Sequence, residues 1–108
     1  MMEHHDIDAV VKVVRSAIPQ VEVVQLQVSH PGADDDGLWW FRLPAVARDI
    51  QIESSTYNCP FFMEHSDMKS SSEAVIAHTV EQAATFVVSY LRSISDADCD
   101  HFSQKELP

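Results

Sequence analysis

Residues 38–43 read LWWFRL, and residues 48–54 read RDIQIES. Successive side chains of a β-strand point to opposite faces of a sheet, so every second residue shares a face. Both segments place apolar residues on one phase and at least one charged residue on the other. They therefore predict two β-strands, each with one buried side and one wetter side.

Further strands are predicted on both sides of this pair. VEVVQLQVSH (residues 21–30) is rich in valine, and NCPFFMEH (residues 58–65) reads as a shorter strand with Pro60 at its start or on an edge. EAVIAH (residues 73–78) predicts a brief strand or an extended lead-in to a helix. Short turns separate the strands, which favours antiparallel pairing because parallel strands need long crossovers.

Two helices are predicted to flank the strands. Residues 6–18 carry apolar side chains at helical spacing, with Asp6 as the expected N-cap and Pro19 ending the helix. Thr79 and Gln82 form a capping-box pattern ahead of a second apolar stripe. The sequence thus predicts an α+β fold, an antiparallel sheet of about four strands with an N-terminal and a C-terminal helix packed on one face.

The composition excludes several classes of function. Seventeen acidic residues against seven lysines and arginines give a formal net charge of −10. This balance argues against binding to nucleic acid or to an anionic membrane surface, because both need clustered basic side chains. No apolar run approaches the roughly 20 residues that span a bilayer, and the N-terminus is acidic where a signal peptide is basic. The sequence therefore predicts a cytoplasmic protein with no membrane association.

The chain is expected to be a single domain without a cofactor. Its 108 residues predict one domain over residues 1–95 and a flexible tail over residues 96–108, where no apolar periodicity remains. Two glycines leave no glycine-rich phosphate cradle. Cys59 and Cys99 lack the CxxC spacing and are expected to be free thiols.

The alternation assigns side chains to two faces of the sheet. The expected core face holds Trp39, Phe41, Ile50, Ile52, Phe61 and Met63. The expected open face holds Leu38, Trp40, Arg42, Gln51, Glu53 and Phe62. Tryptophan and arginine are enriched in interface hot spots, so we expect a protein partner or self-association there. The contact residues predicted on this basis are Leu38, Trp40, Arg42 and Phe62. The alternative is that Trp40 is covered by the tail, by a loop or by the stem of Arg42.

The loop after residues 48–54 is a second candidate site. Ser55, Thr56, Tyr57 and Asn58 combine hydroxyl, aromatic and amide groups between two strands, and binding groups often lie on such loops. The alternative is a plain hairpin connection in which Asn58 forms the turn.

A small metal- or thiol-dependent enzyme is the alternative function. Cys59 with His30 or His65 would resemble a Cys–His pair, and the Asp34–Asp36 loop offers carboxylates for a cation. However, no spacing matches a zinc or EF-hand pattern, and the aspartates also suit a turn. Cys59 shares the phase of Phe61, which favours a buried, inert thiol. The sequence therefore favours a non-catalytic binding protein, with no catalytic residue and no metal site assigned.

One extended pattern resembles a known group of proteins. IQIESSTYNCPFFMEH (residues 50–65), a polar gap and TVEQAATFVVSYL (residues 79–91) are similar to small bacterial α+β proteins without an assigned activity. The resemblance covers residues 36–93 and implies a compact α+β fold and a bacterial origin. The small size and acidity also resemble immunity proteins and type III secretion chaperones. The chain departs from the chaperone order because it lacks a helix between the third and fourth strands.

Overall fold

The computed structural model describes residues 5–30 and 36–106, and in the last helix it describes side chains as far as Ser95. The elements follow in the order α1 (Asp6–Ala17), β1 (Glu22–Gln25), β2 (Leu38–Arg42), β3 (Asp49–Glu53), β4 (Phe61–His65), a 3-10 turn (Ser71–Glu73), β5 (Val75–Ala77) and α2 (Val80–Glu106). The strands form one sheet in the order β1-β2-β3-β4-β5, and each neighbouring pair is antiparallel. The predicted α+β class is confirmed, with five strands where about four were expected.

The inner face of the sheet and the two helices share one apolar core. All six residues predicted for the core face are buried, and five of them are completely so: Phe41, Ile50, Ile52, Phe61 and Met63. The helices contribute the buried side chains Ile7, Val10, Val14, Ala83, Ala84, Val87, Leu91 and Ile94. Burial of a large apolar side chain contributes about 1.5–3 kcal/mol, so this face holds most of the stability of the fold.

The start of α1 differs from the sequence prediction. The N-cap is His5, which makes no side-chain capping bond, and Asp6 is already the first helical residue. The free amide of Asp6 donates to Asn58 Oδ1 at 2.8 Å, so the cap comes from the loop between β3 and β4. The predicted Asp6 N-cap is therefore wrong, because a residue 52 positions away supplies the acceptor.

The start of α2 follows the sequence signal. The amide of Gln82 donates to Thr79 Oγ1 at 3.0 Å, as the capping-box pattern predicts. The Gln82 side chain reaches back one residue further than expected and accepts from the amide of His78 at 2.8 Å. The helix then runs to Glu106, so the backbone of residues 96–106 is helical where a tail was expected. The domain limits 1–95 stay a prediction.

The first predicted strand is shorter in the structure. Pairing with β2 covers only Glu22–Gln25, although the amide of Leu26 still donates to the carbonyl of Leu38 at 2.9 Å. In the turn that follows, residues 31–35 lie outside the described part of the chain, and with them the predicted aspartates Asp34 and Asp35.

Two chain segments approach closely where β2 begins. The amide of Ser54 donates to the carbonyl of Gly37 at 2.8 Å. A Cβ atom at position 37 would lie 2.0 Å from the Ser54 carbonyl oxygen, so only glycine permits this approach. The contact fixes the end of β3 against the start of β2.

The helices pack on the inner face, and the opposite side of the sheet is called here the outer face. Strand register arranges its residues in three rows that cross the strands. The rows are Glu22–Arg42–Asp49, then Val24–Trp40–Gln51–Glu64, and then Leu38–Glu53–Phe62–Ile76.

Candidate functional site

Apolar side chains are exposed on the outer face in two patches. Phe62 and Ile76 are register partners on β4 and β5, and they are 49% and 48% exposed. On the other side of β3, Val24 is 40% exposed and lies opposite Trp40, which is half-buried. Gln51 and Glu53 of β3 lie between the two patches, so the face alternates apolar and polar stripes.

The carboxylates of the outer face are only partly neutralised. Arg42 donates through Nε to Glu22 Oε1 at 3.0 Å, and both side chains are about half exposed. Neither Glu53 nor Glu64 forms an ion pair with any described residue. Because Arg42 is already paired, the part of this face around Phe62 carries uncompensated negative charge.

The structure locates all four predicted contact residues on this one face. Leu38 and Trp40 are half-buried, and Arg42 and Phe62 are exposed. Sequence reasoning missed Ile76, because a three-residue strand is too short for alternation to show its phase. Their role in binding stays a prediction.

The β3–β4 loop, residues 54–60, is closely attached to the rest of the molecule. Tyr57 adopts a left-handed backbone with φ 69°, and its carbonyl accepts the amide of Ile7 at 3.0 Å. Its ring packs edge-on against Trp39 with centroids 5.2 Å apart. Its hydroxyl donates to the carboxylate of Asp36, and the carbonyl of Asp36 accepts Gln25 Nε2 at 3.0 Å.

A reciprocal pair of hydrogen bonds joins this loop to α1. Asn58 Oδ1 accepts the amide of Asp6, and Asp6 Oδ2 accepts the amide of Cys59 at 2.9 Å. Of the loop residues predicted as a binding site, Tyr57 and Asn58 thus have internal partners. Thr56 Oγ1 lies 3.2 Å from Ser54 Oγ, whereas Ser55 is exposed. The loop holds the N-terminus of α1 against the end of the sheet.

Cys59 and His65, two residues of the alternative enzymatic site, are not brought together. Cys59 precedes β4 and His65 ends it, a separation of about 20 Å along an extended strand. His30 is exposed in the connection between β1 and β2. Burial, and then the Asp6 carboxylate, raise the pKa of the Cys59 thiol, which disfavours the reactive thiolate. Among the described residues, no group of three histidines, cysteines or carboxylates could hold a metal ion.

His65 belongs to a different cluster, at the opposite end of β4. Its ring stacks on Tyr90 of α2 with centroids 4.1 Å apart, and its Nδ1 accepts the amide of Asp67 at 3.2 Å. Tyr90 donates its hydroxyl to Asp67 Oδ2 at 3.1 Å, and Arg48 Nη1 lies 3.3 Å from both oxygens of the same carboxylate. The cluster therefore links the segment before β3, the end of β4 and the middle of α2.

Two pKa shifts follow from this cluster. Burial, and then the Asp67 carboxylate, raise the pKa of Tyr90 to about 12, so its hydroxyl stays protonated near neutral pH. For Asp67, desolvation raises the pKa, but the hydrogen bonds from Tyr90 and Arg48 outweigh it and leave the pKa below its ordinary value. Asp67 is thus bound to Tyr90 and to Arg48, and these contacts, with the stacking of His65 on Tyr90, hold the end of β4 against α2.

Comparison with known proteins gives no relative for this chain. No protein-family model, no curated protein and no solved structure matches it. Among the described residues, no helix has the length and apolar character needed to cross a membrane.

Asn58→Ala is expected to destabilise the fold by about 1 kcal/mol, because it removes the acceptor that caps α1. The free energy of unfolding in urea measures this change. Ser55→Ala, a neighbouring change at an exposed side chain, should alter stability by less than about 0.5 kcal/mol. Equal stability of the two variants would contradict the capping role of Asn58.

The Tyr90 cluster predicts a pH dependence at the alkaline end. Since the folded pKa, about 12, lies above the ordinary value of 10.0, the cluster contributes stability below pH 10 that is lost as the pH rises towards 12. Absorbance titration of tyrosine should show one group ionising at about pH 12. Asp67→Asn should lower that pKa without restoring it to 10.0, because burial remains. A titration that Asp67→Asn leaves unchanged would contradict the assignment.

Proposed function

We propose that this chain is a non-catalytic protein-binding domain and that its binding surface is the outer face of the sheet. The observation that carries the proposal is the pair of neighbouring side chains Phe62 and Ile76, both about half exposed on a face that the helices leave uncovered. A single exposed apolar residue is ordinary, but an aromatic and an aliphatic residue in register form a continuous patch.

Charge supports a basic partner rather than a second copy of this chain. Glu53 and Glu64 flank Phe62 on the neighbouring strand and on its own strand, and neither has an ion pair among the described residues. The formal net charge of −10 repels a second copy and attracts a basic surface, most strongly at low salt. Acidic proteins that bind basic targets, such as immunity proteins, work by this chemistry. As part of this proposal, we place the chain in the cytoplasm of a bacterium.

The size of the face indicates how far the contact extends. Five strands about 4.8 Å apart and about five residues long give a flat area of roughly 20 Å by 17 Å, or about 340 Å². A standard interface buries about 800 Å² on each partner. We therefore infer that the contact continues onto the β3–β4 loop, which borders the face beside Phe62.

Phe62→Ser is expected to weaken the partner's affinity more than tenfold, because it removes the aromatic anchor. Stability should change by no more than about 1 kcal/mol, since the side chain is half exposed. The measurement is quantitative capture from a lysate of the source organism on the immobilised chain and its variants, followed by the affinity of each captured protein.

Val13→Ser is the matched control. Val13 is 47% exposed, almost as much as Phe62, but it lies on α1 on the opposite side of the molecule. The proposal expects the partner to be retained by Val13→Ser and lost by Phe62→Ser. A partner lost by Val13→Ser and retained by Phe62→Ser would assign binding to the helical side. A concentration-dependent mass in sedimentation that Phe62→Ser abolishes would identify the partner as a second copy.

A further inference from the structure

A small groove lies where the outer face meets the β3–β4 loop. Its volume is about 250 Å³. It is lined by Glu53, Ser54, Ser55, Thr56, Pro60 and Phe62. Pockets for drug-sized ligands and cofactors have volumes of about 300–1,000 Å³, so this groove has the size for one side chain rather than for a small molecule of that kind.

A carboxylate and an aromatic ring form adjacent walls of the groove. Glu53 and Phe62 are register partners on β3 and β4, so their side chains stand next to each other on the outer face. Both are exposed, and Glu53 has no ion pair among the described residues. A ring face attracts a cation and its apolar stem, and a carboxylate beside it completes the site for a charged head group.

The loop side of the groove is fixed in position. Ser54 is 6% exposed, and its hydroxyl donates to the carbonyl of Asn58 at 2.6 Å. Asn58 is in turn held by the amide of Asp6. A wall that is ordered before binding loses less conformational entropy when a ligand enters, which favours a defined contact.

We propose that this groove binds one lysine or arginine side chain of the partner, with the charged group on Glu53 and the stem along Phe62. The inference rests on the proposed function and names the chemistry of its partner. An acidic side chain would be repelled by Glu53. A purely apolar side chain would leave the Glu53 carboxylate desolvated without a partner.

N-acetyl-arginine amide is a suitable probe, and N-acetyl-citrulline amide is its neutral isostere. In an NMR titration of the full chain, the arginine probe should shift the amide signals of Glu53, Ser55, Thr56 and Phe62 in a saturable way. The citrulline probe should bind about threefold more weakly or worse, because it lacks the charge. Equal shifts with both probes, or shifts that avoid these four residues, would overturn the proposal.

Glu53→Gln tests the carboxylate, and Glu81→Gln is its matched control. Both residues are exposed acids, but Glu81 lies in the first turn of α2. Glu53→Gln should weaken the arginine probe about threefold or more and remove its advantage over citrulline, whereas Glu81→Gln should leave both unchanged. Equal effects of the two variants would mean general charge attraction and would contradict the groove.

The captured partner separates this inference from the proposed function. If Phe62→Ser abolishes partner binding and Glu53→Gln weakens it, both hold. If Phe62→Ser abolishes binding while Glu53→Gln leaves it unchanged, the groove is refuted and the outer face remains the binding surface. If the arginine probe binds the groove and Phe62→Ser leaves the partner bound, the proposed function fails although the groove recognises the cation.

Discussion

Packing of α1 and α2 onto the inner face of the sheet is the interaction on which the rest of the molecule depends. Strands β2, β3 and β4 each bury one row of side chains, including the fully buried Phe41, Ile50 and Phe61. The side-chain period of a strand is two, so the same register that closes the core sends every intervening residue to the outer face. Phe62 is exposed because Phe61 is buried. The candidate binding surface is therefore a direct consequence of how the core is built.

The β3–β4 loop connects the core to that surface. Through Asn58 it caps α1, and through Ser54 it abuts Gly37 at the start of β2. The same loop forms one wall of the groove beside Phe62. The loop that the sequence predicted as a binding site therefore also holds the edge of the outer face in place, and its role in binding stays a prediction.

Local and periodic signals explain what could be predicted. The alternation of RDIQIES was enough to assign Ile50 and Ile52 to the core, and the Thr79–Gln82 capping box lies within four residues. Contacts between distant segments carried no such signal. The N-cap prediction for Asp6 is wrong because the acceptor for its amide, Asn58, is 52 residues away. A local sequence pattern cannot show such a long-range hydrogen bond.

For the candidate site, too, local patterns were predictive and contacts between distant segments were not. Alternation assigned Trp40 and Phe62 to the outer face, but only strand register reveals that Ile76 lies opposite Phe62. Register also shows that Arg42 is paired with Glu22, which makes it a weaker anchor than its residue type implied. The enzymatic alternative placed Cys59 beside His30 or His65, and of these His65 ends β4 whereas Cys59 precedes that strand.

Hydroxyl-radical footprinting of the chain with and without its captured partner would show whether the partner covers the outer face. Phe62, Ile76 and Val13 are 49%, 48% and 47% exposed, so they start with similar accessibility on opposite sides of the molecule. The account predicts that the partner protects Phe62 and Ile76 from oxidation and leaves Val13 unprotected. Protection of Val13 with unchanged oxidation of Phe62 and Ile76 would contradict it, since the partner would then bind the helices.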